Sequence, residues 1–207
     1  SEIWVAGGTY VPSSSDRTQS FQLQTGLDIY GGFVGNETQR DRRNWHRNPT
    51  ILSGDLLGDD LPDFFHRSDN SFHVVACVDC GGSATLDGFI ITGGNANGIS
   101  EDDNGGGIAI NGGEPYTPLI QNCAIVDNSS FSRGGGAFVS DASPEFRNCL
   151  IARNNSFEGA AIFITRASHV LLYQCTIAHN AASGFGAAAG DFGGTVLSPY
   201  NTIIWGN

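Results

Sequence analysis

Cys123, Cys149 and Cys175 stand 26 residues apart, and the residues around them repeat with them. Ile120 Gln121 Asn122 Cys123 Ala124 Ile125 aligns with Phe146 Arg147 Asn148 Cys149 Leu150 Ile151 and with Leu172 Tyr173 Gln174 Cys175 Thr176 Ile177. Three residues beyond each isoleucine comes an asparagine, Asn128, Asn154 and Asn180, and Asn207 holds the same place after Ile204. A fixed period of this length marks a chain of stacked units, because one unit of about 26 residues cannot bury its own apolar face. Each unit also carries a small-residue turn running into an apolar stretch: Gly105 Gly106 Gly107 Ile108, Gly134 Gly135 Gly136 Ala137, Gly159 Ala160 Ala161 Ile162, and Gly186 Ala187 Ala188.

Within a unit, apolar and polar positions alternate as in a strand with one buried face, and helical spacing is never sustained. The 29 glycines among 207 residues, about twice the usual share, point the same way. The expected fold is all-β: a right-handed parallel β-helix, a solenoid of about 6–7 coils with at least two short strands per unit. It forms a single domain over 1–207. Residues 81–207 are the regular repeats, and 1–80 are irregular coils with two long loop insertions, from Gly35 to about Pro49 and from Gly54 to about Asn70. Equivalent residues of a solenoid form columns. Ile125, Ile151, Ile177 and Ile204 are expected in the core, and Cys123, Cys149 and Cys175 stacked as small buried apolar groups. Asn128, Asn154, Asn180 and Asn207 are expected as an amide ladder where each strand turns.

Ten basic residues, all of them Arg, face 21 acidic ones for a formal net charge of −11. Nucleic acid and anionic membrane surfaces are disfavoured partners for such a chain. No run approaches the ~18 apolar residues of a membrane span, so this segment is not expected to insert in one. Five cysteines are an odd number, which leaves at least one thiol over. Cys77 and Cys80 make a single Cys-x-x-Cys. A local disulfide, two plain thiols, a zinc pair and a redox motif all stand open for it.

Asp55, Asp59, Asp60 and Asp63 crowd the second insertion beside Gly54 and Gly58. Either this is a solvated loop or it wraps a calcium ion, which accepts many oxygens in irregular geometry, although the spacing is not that of an EF-hand. Glu101, Asp102, Asp103 and Asn104 form a second acidic turn open to the same two readings. Glycoside hydrolysis needs two carboxylates facing one groove, and a lyase needs a positioned base. Asp87, Asp127, Asp141, Arg147, Arg153 and Arg166 are available on the coils, and Asp127, Arg153 and His179 share a column. Residues beside a turn face solvent, so no catalytic residue is assigned. Arg40, Arg42, Arg43, His46 and Arg47 form a basic run around Trp45, with Glu37 and Asp41 inside it. The run is expected to tie its loop to the solenoid through Arg pairs and Trp45 packing.

The segment from Tyr30 Gly31 Gly32 Phe33 Val34 Gly35 Asn36 Glu37 Thr38 through Arg43, Asn44, Trp45, Asn48, Pro49, Ile51, Leu52, Ser53, Gly54 and Asp55 resembles the opening coils of secreted bacterial β-helix proteins of the pectin-lyase-like superfamily. The strands Ser71 to Val75 and Leu86 to Phe89, with the turn Thr92 to Gly94, extend that likeness. The Gly-Gly-Gly and Asn-Cys repeats resemble passenger repeats of chlamydial polymorphic outer membrane proteins, with variants such as Gly159 Ala160 Ala161 Ile162 where those carry Gly-Gly-Ala-Ile. The resemblance implies a secreted or cell-surface location, on a fold that hosts lyases, hydrolases, adhesins and stalks. Neither Ile3 Trp4 Val5 nor Ile203 Ile204 Trp205 Gly206 Asn207 is accompanied by a capping helix. The expected partners are therefore a second copy stacked head to tail, or further coils of a longer chain, with a surface glycan as a third. The expected function is a non-catalytic structural or adhesive module able to form filaments. The alternative is a polysaccharide lyase or glycoside hydrolase fragment.

Overall fold

The computed structural model describes residues 1–78, 80, 84–112 and 117–207. Its strands fall into four sheets, and every paired strand runs parallel to its neighbour one turn of chain away. The first sheet holds Glu2–Ala6, Asp28–Phe33, Thr85–Asp87, Leu119–Gln121, Glu145–Arg147, His169–Tyr173 and Val196–Tyr200. The second holds Gly8–Tyr10, Thr50–Ser53, Phe89–Thr92, Ala124–Val126, Leu150–Ala152, Thr176–Ala178 and Ile203–Trp205. The third is short: Asn95–Ala96, Ser129–Ser130, Asn155–Glu158 and Ala181–Phe185. The fourth holds Phe21–Gln22, Val75–Val78, Ile108–Asn111, Ala137–Ser140, Ile162–Thr165 and Ala189–Phe192. Seven rungs result, within the expected range, and each regular turn has four strands rather than the minimum of two.

The extra strand arises at the cysteine segment, which is not one strand but two. Ile120 and Cys123 are three residues apart, and in a straight strand an odd separation places side chains on opposite faces. Both are buried because the chain turns a corner between them. The corner residues Asn122, Asn148 and Gln174 take φ of 53, 49 and 55°, below Gly88 at 86°. A second column of left-handed residues, Gly93, Asp127, Arg153, His179 and Gly206, turns the chain out of the second sheet. Arg has no intrinsic taste for that conformation, so neighbouring rungs impose it at Arg153.

What imposes it is the amide ladder just behind. Asn128 donates from its backbone N–H and its Nδ2 to Asn154 Oδ1 (3.0 and 3.1 Å), and Asn154 does the same to Asn180 Oδ1 (3.0 and 3.0 Å). Asn180 repeats this to Asn207 at 3.1 and 2.8 Å. Each Nδ2 also donates to a carbonyl of the rung before, Ile91, Ile125, Ile151 and Ile177 in turn. Asn128, Asn154 and Asn180 are buried, so these bonds satisfy polar groups that water does not reach.

Inside the coil Ile125, Ile151 and Ile177 stack in register and are fully buried. Ile204 continues the column but is 47% exposed, because only one side of its rung is covered. The three thiols are buried and unbonded to one another. Each points to the carbonyl two residues back (Gln121, Arg147, Tyr173) and to one on the preceding rung (Leu86, Ile120, Phe146). Burial pushes the Cys123 thiol up to about 12 and raises Cys149 as well. An aromatic-disulfide thiol reagent is expected to find no rapidly reacting thiol in the native chain and three after denaturation. Because the unfolded thiols ionise near ~8.5 while Cys123 stays protonated when folded, its contribution is complete below that pH and is lost as pH rises toward 12. Cys123→Ala should flatten the fall in stability between pH 9 and 11; an unchanged slope would contradict the assignment.

Candidate functional site

The first insertion, residues 34–49, is fastened to the coil by buried polar chemistry. Arg43 Nη2 lies 2.6 Å from Asp87 Oδ2, with the two side chains only 7% and 4% exposed. Arg43 Nη1 donates to the carbonyls of Gly31 and Asp87 (2.8 and 3.0 Å), and the guanidinium lies by the rings of Tyr30 and Trp45. Asp87 also accepts from Gln121 Nε2 (2.7 Å) and Asn122 Nδ2 (2.8 Å), and Asn148 Nδ2 donates to Asn122 Oδ1 (2.8 Å). Arg40 binds Glu2 and the Tyr30 hydroxyl. The loop lies flush because residue 32 has no side chain: a Cβ there would fall 2.6 Å from the Trp45 backbone. Arg40, Arg43 and Trp45 thus do the tying expected of the basic run, whereas Arg42 and Arg47 form no ion pair among the described residues.

Between this loop and the corner of the first two sheets runs an open groove of about 370 Å³. Trp45, His46 and Pro49 form one wall; the floor and far side are built from three rungs by Phe89, Ile90, Asn122, Ala124, Asn148 and Leu150. The surface is aromatic rings facing planar amides over an apolar floor. Its lining includes no carboxylate; Asp87 lies beneath it, both oxygens occupied.

The second insertion closes on itself through Ser71 N–H to Gly54 O at 2.8 Å, which brings its two limbs together. Asp55, Asp59 and Asp69 come within 4.8 Å of one another there and are the residues that could hold a cation. Of the expected set, Asp55 and Asp59 are brought together. Asp60 turns away to Asn70 Nδ2 (2.9 Å) and Arg67 (3.4 Å), Asp63 lies outside the cluster, and Asp69, on the returning limb, replaces them. Asp55 already serves the loop itself, accepting from the N–H groups of Gly58, Asp59 and Asp60 at 2.7, 3.2 and 3.2 Å. Loop closure was the signal for Asp69, since residues flanking the ends of a closed loop are neighbours.

The column of Asp127, Arg153 and His179 does not converge on a groove. Arg153 holds Asp127 in a two-pronged pair (2.9 and 2.6 Å), and His179 packs edge-on against Trp205. Asp141 pairs with Arg166, and Arg147 with Glu145. In the acidic turn Glu101–Asn104, Asp102 lies 3.6 Å from the buried His73. Cys77 and Cys80 are bonded to each other, Cα to Cα 5.4 Å, at the end of the strand Val75–Val78.

A family model described as a right-handed beta helix region matches residues 69–204. The chain belongs to the right-handed β-helix family. No curated protein and no solved structure matches it. The match opens at Asp69, so the floor of the groove lies within the family repeat and its Trp45–His46 wall comes from coils before it. Among the described residues of this β-helix no helix is long and apolar enough to cross a membrane.

Proposed function

We propose that this β-helix is a non-catalytic extracellular module, structural and adhesive, that holds a surface glycan in the groove beneath the 34–49 loop. The observation that carries the reading is the Trp45–His46 wall, held opposite Asn122 and Asn148 by the buried Arg43–Asp87 pair. Burying two charges is costly, and here the cost secures a loop against the coil rather than the coil against itself. A wall fixed before ligand arrives spares the ordering cost of binding. A pyranose presents an apolar face to an aromatic ring and hydroxyls to amides, which is the chemistry this groove offers. Its carboxylate-free lining supports binding over glycoside hydrolysis or elimination. The Cys77–Cys80 bond supports an oxidising, extracellular setting. Phe192, Ile203 and Trp205 are exposed on the rung Ala189–Trp205; a further rung of the same kind, from the same polypeptide or from a second copy stacked end to end, is the partner that fits them.

Titration calorimetry against a panel of soluble neutral polysaccharides tests the reading. Binding is expected to at least one, and Trp45→Ala is expected to weaken it about tenfold or more, which is 1.4 kcal/mol. Phe65→Ser, on the exposed second loop, should leave it unchanged. Equal binding by folded Trp45→Ala protein, or binding to none of the panel, removes the proposal. New reducing ends or unsaturated products would favour the enzyme alternative.

A further inference from the structure

Phe131, Phe157 and Phe185 lie on three successive rungs of the third sheet and are 74%, 50% and 74% exposed. The ring of Phe157 reaches over Gly184 of the next rung, where a Cβ would meet it at 3.1 Å, and a register shift there sets Phe185 opposite Glu158, one place along the same sheet. Ser132, Asn155 and Ser183 fill the spaces along it, and an open depression of about 500 Å³ runs between Phe131 and Phe157. Phe138 and Phe163, by contrast, stack on each other, and the Arg133 guanidinium lies 4.9 Å over Phe163. Among the described residues no ring stacks on Phe131, Phe157 or Phe185 and no guanidinium lies over them.

Charge singles out the same surface. The stripe is bordered along each rung by ion pairs that close between rungs, Asp127 with Arg153 on one side and Arg133 with Glu158 on the other. Between those borders no residue is charged. On a chain of net charge −11 two copies repel on average, and a face without charged residues is one that they can bring together without opposing like charges. The exposed rings amount to about 400 Å² per copy. Two such stripes with their serine and asparagine margins reach about 1,000–1,200 Å², the lower end of specific protein interfaces.

We infer that the third sheet is a lateral self-association surface, joining two copies of this chain side by side through Phe131, Phe157 and Phe185 in a two-fold, isologous contact. It goes beyond the glycan reading and does not depend on it. The area places the contact at the low end of specific interfaces, among the weak and transient ones. Because the copies repel elsewhere, raising NaCl from 50 to 500 mM tightens it.

Sedimentation equilibrium of the full chain from about 5 to 500 μM, at both salt concentrations, tests this. Expected is a monomer–dimer equilibrium strengthened by salt, abolished by Phe131→Ser/Phe157→Ser and by Phe157→Lys, and untouched by Phe192→Ser on the fourth sheet. All three positions are surface ones, and circular dichroism confirms that each variant folds. A monomer throughout the range overturns the inference, as does a dimer that survives Phe131→Ser/Phe157→Ser. Association lost in Trp205→Ser but kept in Phe157→Lys assigns the contact to end-to-end stacking and also overturns it. A monomer whose polysaccharide binding falls in Phe157→Lys would make the stripe a sugar surface instead.

Discussion

Replacing Asn154 by alanine should lower the unfolding free energy by about 2–4 kcal/mol, as much as a large apolar truncation in the core. Asn154 Oδ1 receives both the backbone N–H and the Nδ2 of Asn128, and its Nδ2 serves the Ile125 carbonyl. All of this lies out of reach of water, with Asn154 itself 1% exposed. Alanine leaves the Asn128 N–H buried without a partner, at a cost of roughly 1–3 kcal/mol, removes one bond each from Asn128 Nδ2 and the Ile125 carbonyl, and opens a cavity between the rungs. Asn207→Ala removes the same kind of bonds at an exposed position, where water replaces them, and should cost less than about 1 kcal/mol. Urea denaturation of the two variants measures the contrast. Equal losses, or a loss at Asn154 below 1 kcal/mol, would mean that the ladder reports the corner rather than holding it.

Arg43→Ala should cost about 3–5 kcal/mol, because it strands the Asp87 carboxylate in a site that is almost dry. The neutral pair Arg43→Met/Asp87→Asn should recover more than half of that loss. Its amide still accepts from Asn122, and no charge remains to be desolvated. The ion pair is therefore expected to do little for stability beyond its own cost and much for placing Trp45. Sugar binding should fail in the single and the double variant alike, while stability separates them. A double variant as unstable as Arg43→Ala, or one that binds as the parent does, would contradict this. A double-mutant cycle in urea, with calorimetry on each corner of the cycle, resolves both quantities.

The solenoid was legible because its period is written in residues with nothing else in common. A core isoleucine, a buried thiol and a turn asparagine recur together, and only stacking reconciles three such demands at one interval. The corner before each cysteine was less visible, since Asn122, Asn148 and Gln174 read as ordinary polar strand positions; the odd spacing from Ile120 to Cys123 is the trace it left. The groove was half legible. The basic run around Trp45 was seen as a fastening, but the identity of its anchor, Asp87, depends on two segments 44 residues apart meeting in space. Asp69 escaped the acidic cluster for the same reason, and so did the bare phenylalanine stripe, because a residue's partner on the next rung is decided by register rather than by local pattern.

The ladder spans 34 residues between Gly94 and Asn128, 26 between Asn128 and Asn154, and 27 between Asn180 and Asn207, yet makes the same bond each time. It is a ruler that counts turns of chain and ignores their length. A coil can therefore gain or lose a loop between corners without shifting any other coil, since the next amide oxygen must still find the waiting N–H above it. Such a chain can acquire new surfaces one loop at a time, and its Trp45 wall and acidic loop read as two additions of that kind, made without renegotiating the core.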